Sequence, residues 1–290
     1  MEKCIVMLSG GLDSRLAVKI MQEKGYDVLA VHFNLPFGTG CCDRNCSFNF
    51  TQMEGVKLKI FDCSRGKLLK DYLNCIREAK FGTGAGVNPC IDCRIFMFKE
   101  VKKFADKEKI NLVVTGEVLG QRPMSQMKSS MELIERKSGL TGRIYRALKE
   151  YGIHGRRRTK QMELAKKFKI DYPTPAGGCF LCEKELRKRL KYLLSRDLNE
   201  NEAKLVGLGR HFLIKGCWVV VGRDEKENKI IEFIGKKYTL IISDESSPGP
   251  SVVIVDKPKQ DVREIVEELI LAYSKKGSLK DRKKFEEWRL

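Results

Sequence analysis

The first 23 residues combine an apolar run, a glycine-containing loop and an amphipathic helical pattern, and this order constrains the fold more than any other feature. Residues 4–8 are apolar, as expected of a buried strand, and Leu16 and Ile20 follow at the spacing of one helix face. Between them lies the loop Ser9-Gly10-Gly11-Leu12-Asp13-Ser14. Such a unit brings backbone N–H groups and the positive end of a helix dipole to one point, where they can hold phosphate oxygens. We therefore predict a phosphate-binding loop.

Three further strand-like runs follow at residues 28–33, 58–62 and 112–116, and helical patterns at 67–79 and 94–108 separate the last two. Alternating apolar strands and helices predict a doubly wound, mostly parallel α/β sheet that is covered on both faces. The sequence contains no GxxxxGK[ST] motif, and its glycine spacing does not fit the dinucleotide fingerprint. The loop is therefore of another nucleotide-binding type.

The chain changes character after about residue 143. Residues 143–215 hold 19 Lys and Arg against 8 Asp and Glu, within a chain whose net charge is +18. Clustering of this kind favours a polyanionic partner, whereas the charged surface of a thermophilic protein would not predict the clustering.

The second half begins with basic helical patterns and continues with strand-like runs, which predicts a small β-rich α+β domain at the C-terminus. The predicted helices are 159–168, 183–194 and 260–275, and the predicted strands are 212–221, 229–234, 238–242 and 251–255. The predicted domains are a catalytic domain over 1–195 with a basic helical extension from about 143, a small domain over 196–275, and a charged tail over 276–290.

Two of the cysteine pairs have CxxC spacing, Cys90 with Cys93 in "NPCIDC" and Cys179 with Cys182 in "PAGGCFLC". Four thiolates could hold a structural zinc, whereas three would leave one position open on an iron–sulfur cluster. A catalytic thiol with a persulfide relay is the third reading.

The other seven of the eleven cysteines carry weaker expectations. Cys4, Cys63, Cys75 and Cys217 occur in apolar or helical patterns and are expected to pack as small hydrophobic residues. We expect the denser group of Cys41, Cys42 and Cys46 to form a loop without a metal.

The motif SGGxDS, here residues 9–14, resembles the signature loop of the PP-loop ATP pyrophosphatases, which have an adenine nucleotide α-hydrolase-like fold. The segments 88–93 and 178–180 resemble the paired cysteine motifs of tRNA 2-thiouridine synthases, and 115–121 resembles a loop of tRNA 4-thiouridine synthases. The run 173–179 is similar to 4-thiouridine-synthase-like proteins that end in a small RNA-binding domain. The likeness covers most of residues 1–255, although that group usually lacks a cysteine at the position of Cys182.

The resemblance implies an ATP-dependent tRNA sulfurtransferase. Such an enzyme adenylates a uridine carbonyl oxygen and replaces it with sulfur that a 4Fe-4S cluster delivers. The implied cluster ligands are Cys90, Cys93 and Cys179, with Cys182 as a neighbour or spare ligand. The alternatives are a PP-loop ligase or amidase-type enzyme with another acceptor, and a zinc-stabilised RNA-binding protein.

The resemblance also implies the roles of individual residues. The ATP-binding residues would be Ser9, Gly10, Gly11, Asp13 and Ser14, with His32, Phe33 and Gly116 at strand ends that frame the adenosine. The catalytic residues would be Asp13 near Mg²⁺ or the α-phosphate, Glu117 in metal or proton handling, and Cys179. Arg122 is a candidate to neutralise phosphate charge.

The implied partners are tRNA and either sulfide or an external sulfur donor, and the resemblance also implies a homodimer. Residues 156–160 and 187–189 are basic enough to contact an RNA backbone. We expect His211 to be structural. The chain has no apolar run near the roughly 20 residues of a membrane span, and its N-terminus does not resemble a secretory signal, so we expect a cytoplasmic protein.

Overall fold

The computed structural model describes residues 1–37, 44–174, 179–242, 249–275 and 277–290. These residues form two compact units, Met1–Glu185 and Leu186–Leu290. None of the helices in the described ranges combines the length and apolarity needed to cross a membrane.

The N-terminal unit is built on a five-stranded sheet in the order β3-β2-β1-β4-β5, and every neighbouring pair is parallel. The strands are β1 (Lys3–Met7), β2 (Asp27–Asn34), β3 (Lys57–Asp62), β4 (Leu112–Thr115) and β5 (Ile144–Arg146). The chain runs from β1 outward to β3 and then crosses to β4 on the other side of β1. Ligands of doubly wound sheets bind at such a switch point, beyond the carboxyl ends of the strands.

Helices cover both faces of this sheet, which confirms the predicted doubly wound α/β class. They are α1 (Leu12–Glu23), α2 (Arg44–Met53), α3 (Gly66–Glu78), α4 (Cys90–Glu108), α5 (Lys128–Ser138) and α6 (Thr159–Lys167). Within β1, Cys4 and Val6 pack in the core that contains α1, while Ile5 and Met7 pack in the core that contains α4. Burial on both faces explains why β1 is apolar throughout.

The C-terminal unit has a four-stranded antiparallel sheet in the order β6-β7-β9-β8. Its strands are β6 (Arg210–Ile214), β7 (Cys217–Val221), β8 (Thr239–Ile241) and β9 (Val252–Ile254). Its helices are α7 (Arg187–Ser195), α8 (Glu200–Leu205), α9 (Glu225–Gly235), α10 (Gln260–Tyr273) and α11 (Leu279–Lys283).

Two predictions for this unit were wrong. The single strand predicted over 212–221 is a hairpin, because Lys215 and Gly216 both have positive φ angles, of 47° and 84°, as a type I′ turn requires. The strand predicted over 229–234 is helix α9. The Asp224 side chain caps this helix by accepting a hydrogen bond from the Glu227 N–H at 2.9 Å.

The last residues of the chain pack onto this unit. Helix α11 starts with a capping box formed by Ser278 and Asp281, and Phe285 is buried in the core under the sheet. Arg289 forms a β-bridge with Phe212, and the Leu290 N–H donates to the His211 carbonyl at 3.0 Å. The segment 276–290 was predicted as a charged tail, and its described part contributes to the core.

His211 is 1% exposed and links three parts of the C-terminal unit. Its Nδ1 accepts a hydrogen bond from Trp218 Nε1 at 3.0 Å, and its Nε2 lies 2.6 Å from the Leu208 carbonyl oxygen, to which it donates. Burial, together with the positive charge of Arg189, lowers the pKa of His211 to about 3. Both ring nitrogens are thus engaged, and the ring is neutral.

We expect this histidine to make the C-terminal unit sensitive to acid. Below its ordinary pKa of 6.5 the unfolded chain takes up a proton that the folded chain does not, so stability is lost as the pH falls from 6.5 towards 3. Protonation of this one side chain in the unfolded chain lowers the free energy of unfolding by about 1.4 kcal/mol for each pH unit in this range. Urea unfolding, followed by the fluorescence of Trp218 and Trp288, measures the effect. A His211→Gln variant is the control, and an equal pH dependence in both proteins would contradict the prediction.

Candidate nucleotide and cysteine site

The loop between β1 and α1 is held in a tight turn. Gly10 has a φ of 84°, a conformation that glycine adopts readily, and Gly11 is the N-cap residue of α1. Ser14 Oγ accepts from the Ser9 N–H at 3.2 Å and donates to the Gly11 carbonyl at 2.9 Å. The Ser9 hydroxyl lies 3.1 Å from Ser14 Oγ. Because glycine has no capping side chain, the N-terminus of α1 stays open to an anion.

Arg15 stabilises the loop, and no sequence motif predicted this role. Its buried guanidinium donates to the Gly10 carbonyl at 2.7 Å, to the Asp171 carbonyl at 2.6 Å and to Cys46 Sγ at 2.9 Å. It also lies 4.7 Å from the centre of the Phe50 ring. An arginine directly after SGGxDS was the available signal.

Asp13 has one carboxylate oxygen bound and the other without a partner. Gln121 Nε2 donates to Oδ2 at 2.9 Å, and the Gln161 side chain lies close enough to Asp13 to lower its pKa, whereas the buried Oδ1 makes no hydrogen bond of 3.5 Å or less in the described ranges. Burial raises the pKa of Asp13, although the Gln121 hydrogen bond and the charges of Arg158 and Arg122 oppose this. A buried oxygen without a donor is suited to bind a cation such as Mg²⁺.

The carboxyl end of β4 touches this loop at Gly116. A Cβ atom at Gly116 would lie 2.7 Å from the Ser14 nitrogen and would overlap the Asp13 carbonyl group. Only glycine allows this approach, so the loop and the end of β4 form one surface.

We expect Gly116→Ala to lower the free energy of unfolding of the N-terminal unit by about 1–3 kcal/mol, because backbone atoms must move to admit the methyl group. Urea unfolding followed by far-UV circular dichroism measures the loss. Gly207→Ala is the control, since a Cβ atom at Gly207 would meet nothing within 4 Å. Equal stability of the two variants would show that the close approach is absent.

Glu117 follows Gly116 and is 4% exposed. Arg94 Nε lies 3.4 Å from its Oε1, and Arg146 Nε lies 3.8 Å from its Oε2. Arg146 also pairs with Glu135 at 2.5 Å. Glu117 therefore lies between two guanidinium groups, and its role in metal or proton handling stays a prediction.

His32 and Phe33, which were predicted to frame the adenosine, have structural contacts at the end of β2. His32 Nδ1 lies 3.0 Å from both the Leu8 carbonyl oxygen and the Ser47 hydroxyl, and it is buried. Phe33 stacks on Phe61 with ring centres 4.9 Å apart. Their role in nucleotide binding stays a prediction.

Cys90 and Cys93 lie in the first turn of α4, whereas the sequence pattern had placed them before the helix. Asn88 Nδ2 lies 3.2 Å from Cys90 Sγ and 3.6 Å from Met124 Sδ. The asparagine therefore joins this cysteine to the segment that follows β4.

The second cysteine pair lies beside the first. Cys179 Sγ and Cys182 Sγ are 3.7 Å apart, and the Val87 N–H donates to the Leu181 carbonyl at 2.9 Å. Burial raises the pKa of Cys179 to about 12, and the charges of Cys182 and Cys90 add to this effect. Burial likewise raises the pKa of Cys93 to about 12 and that of Cys90 above its ordinary value.

The described part of the chain contains no set of three His, Cys, Asp or Glu side chains at metal-binding distance. Sulfur donors such as those of the two CxxC pairs suit zinc or an iron–sulfur cluster, and the ligand set stays a prediction. Cys46 belongs instead to the nucleotide loop through Arg15. Cys41, Cys42 and residues 175–178 lie outside the described ranges.

The segment after β4 connects the nucleotide loop with the cysteines. Gln121 donates to Asp13 at 2.9 Å, and Met124 Sδ lies 3.6 Å from the Asn88 amide nitrogen that also contacts Cys90. Arg94 is one helical turn from Cys90 and reaches Glu117. Arg158, which was predicted to contact RNA, also lies close enough to Asp13 to lower its pKa. The loop and the cysteines therefore share one site.

The family model described as "Thiamine biosynthesis protein (ThiI)" matches residues 1–148, just over half of the chain. The chain belongs to the ThiI family. A second model, described as "NFACT protein RNA binding domain", matches residues 209–285. This ThiI-family chain therefore joins a PP-loop unit to a segment that matches an RNA-binding domain.

Individual relatives of this ThiI-family chain are distant. A probable tRNA sulfurtransferase of Methanosarcina mazei is 26% identical over 125 residues, which are 41% of this chain and 29% of that protein. The tRNA-specific 2-thiouridylase MnmA of Coxiella burnetii is 24% identical over 278 residues, covering 83% of this chain and 76% of that protein.

Among solved structures, a 4-thiouridine synthetase in complex with RNA and bound ATP has a TM-score of 0.44 and is 20% identical. The match covers 70% of this chain and 53% of the synthetase chain.

Proposed function

We propose that the protein is an ATP-dependent tRNA sulfurtransferase that adenylates a uridine carbonyl oxygen and replaces that oxygen with sulfur. The observation that carries the proposal is the contact of one segment with both parts of the site: Gln121 donates to Asp13, and Met124 lies against the Asn88 amide that contacts Cys90. A sulfur-transfer enzyme needs its activating nucleotide and its sulfur-handling groups at the same carbon atom. An amide-forming PP-loop enzyme does not need sulfur-handling groups at its acceptor, so the cysteines favour sulfur transfer.

The nucleotide loop supplies the activation step. Oxide is a poor leaving group from a uracil ring. Adenylation of this oxygen makes AMP the leaving group, which sulfur can displace. Ser9, Gly10, Gly11 and Ser14 would hold the phosphates through backbone N–H groups and hydroxyls. Asp13 would hold Mg²⁺ through its unpartnered Oδ1, and Glu117 would fix the arginines that handle phosphate charge.

Cys90, Cys93 and Cys179 would hold a 4Fe-4S cluster, with Cys182 as a neighbour. With three protein thiolates, such a cluster has one iron open to an exogenous sulfide. Burial raises the pKa of all three thiols, so without a metal they are protonated and poor nucleophiles at neutral pH. Metal binding removes those protons, which favours ligand roles over free thiol chemistry.

The proposed partner is tRNA. The match of 209–285 to an RNA-binding domain and the basic region 143–215 both support a polyanionic substrate. Sulfide or an external donor would supply the sulfur, and the reaction would take place in the cytoplasm. The homodimer implied by the resemblance stays a prediction.

Nucleoside mass spectrometry tests the proposal. Unmodified tRNA is incubated with anaerobically reconstituted protein, ATP and sulfide, and we expect a thiouridine together with AMP whose release depends on tRNA. Reactions without ATP or without sulfide are the controls. Absence of any thionucleoside from a folded, iron-loaded protein would refute the proposed function.

A further inference from the structure

A pocket in the C-terminal unit is lined by cationic side chains. Its volume is about 420 Å³, within the range of ligand-binding pockets. The lining residues are Arg210, Tyr273, Leu279, Arg282, Lys283, Glu286 and Arg289. We call it the arginine pocket.

The positive charge of the arginine pocket is largely uncompensated. Arg289 pairs with Glu286 at 2.9 Å, but both side chains are about half exposed, and an ion pair this exposed contributes little to stability. In the described ranges no carboxylate lies within 4 Å of the charged nitrogens of Arg210, Arg282 or Lys283. Like charges held together in this way repel one another, so an anion would be bound favourably.

Neutral groups rather than acids position the two arginines. Arg210 Nη1 donates to the Gly222 carbonyl at 3.1 Å, and Arg282 Nε donates to the Ala272 carbonyl at 3.1 Å. Their guanidinium carbons lie 4.9 Å and 5.1 Å from the centre of the Tyr273 ring. Backbone and ring contacts fix the geometry without neutralising the charge, which is the preorganisation that an anion site needs.

We propose that the arginine pocket binds a phosphate group of RNA. Guanidinium groups match phosphate oxygens in a bidentate manner, and Lys283 adds a flexible point charge at the rim. The pocket lies in the part of the chain that matches an RNA-binding domain model, which favours RNA over a small anion. In naming tRNA as the source of the phosphate, this inference rests on the proposed function.

Equilibrium binding of full-length protein to an unmodified tRNA transcript, measured between 50 and 300 mM salt, tests the pocket. We expect Lys283→Gln and Arg282→Gln each to weaken binding about tenfold and to lower the salt slope by about 1. Lys226→Gln, an exposed cation on α9 outside the pocket, is the matched control and should change neither quantity. Arg282→Lys keeps the charge and should restore most of the slope.

The Lys283 side chain is exposed and makes no hydrogen bond or ion pair with the residues that the structure describes, so its substitution keeps the test valid if an arginine variant unfolds. Transcripts with and without a 5′-phosphate identify which phosphate the pocket binds. If the variants no longer weaken binding when the 5′-phosphate is missing, the pocket binds the terminal phosphate. If they weaken binding equally, the pocket binds a phosphate of the RNA backbone. Pocket variants that behave like Lys226→Gln would overturn the inference even if thiolation is observed. Conversely, weakened tRNA binding without thiolation would refute the proposed function and leave the pocket assigned.

Discussion

Replacing Asp13 with asparagine is expected to slow tRNA-dependent AMP formation by about 10²–10³-fold, the usual effect of removing one group that stabilises charge in a transition state. Asparagine keeps an oxygen that can accept the Gln121 hydrogen bond, so the loop should remain folded. The variant removes the negative charge that would bind Mg²⁺. Single-turnover measurement of AMP separates this step from tRNA binding and from sulfur transfer.

The pH profile gives a second readout of Asp13. Because burial raises its pKa above the ordinary 3.8, the wild-type rate should fall as the pH drops through that raised pKa and Asp13 becomes protonated. The acid limb should be absent from the asparagine variant. Asp27→Asn, at an exposed position of β2, is the matched control. A wild-type rate in Asp13→Asn would exclude the role.

Serine in place of Cys90, Cys93 or Cys179 is expected to remove bound iron and to lower thiolation at least a hundredfold, since loss of a ligand exceeds the roughly 10–100-fold effect of losing an outer contact. The three ligands act as one unit, so each single variant should lose about as much as the triple variant. AMP formation should persist in all of them, because the nucleotide loop is intact. Iron and sulfide analysis after anaerobic purification measures the cluster directly.

Two further variants complete this experiment. Cys75→Ser changes a thiol whose charge acts on Cys93 but which is not a predicted ligand, so it should keep both iron and activity. Cys182→Ser should also retain iron if that residue is a neighbour. A colourless protein with one equivalent of zinc would contradict the cluster, as would iron that survives substitution of Cys90.

The sequence predicted the fold correctly where the local apolar pattern agrees with the burial seen in the structure. Strands β1, β2 and β4 are mostly apolar and alternate with helical patterns, so their order predicted the α/β class. The prediction of a strand over 229–234 failed because a short apolar run is equally compatible with a strand and with a buried helix face. The cap at Asp224 decided for the helix.

The site could be predicted only in part, because several of its contacts join distant segments. The loop motif and the CxxC pairs are local, so the sequence alone proposes Asp13, Cys90 and Cys179, whose roles stay predictions. Arg15 contacts Asp171 across 156 positions, and no local pattern shows this. Likewise, the pairing of Arg94 with Glu117 depends on how α4 packs beside β4.

The position of Arg94 has a consequence for engineering this protein. Cys90, Cys93 and Arg94 lie within five residues at the start of α4, so any shift of this turn also moves the partner of Glu117. Substitutions at the cysteines and at Glu117 should therefore be energetically non-additive. Under the proposed function, a design that alters these cysteines would need compensating changes around Glu117.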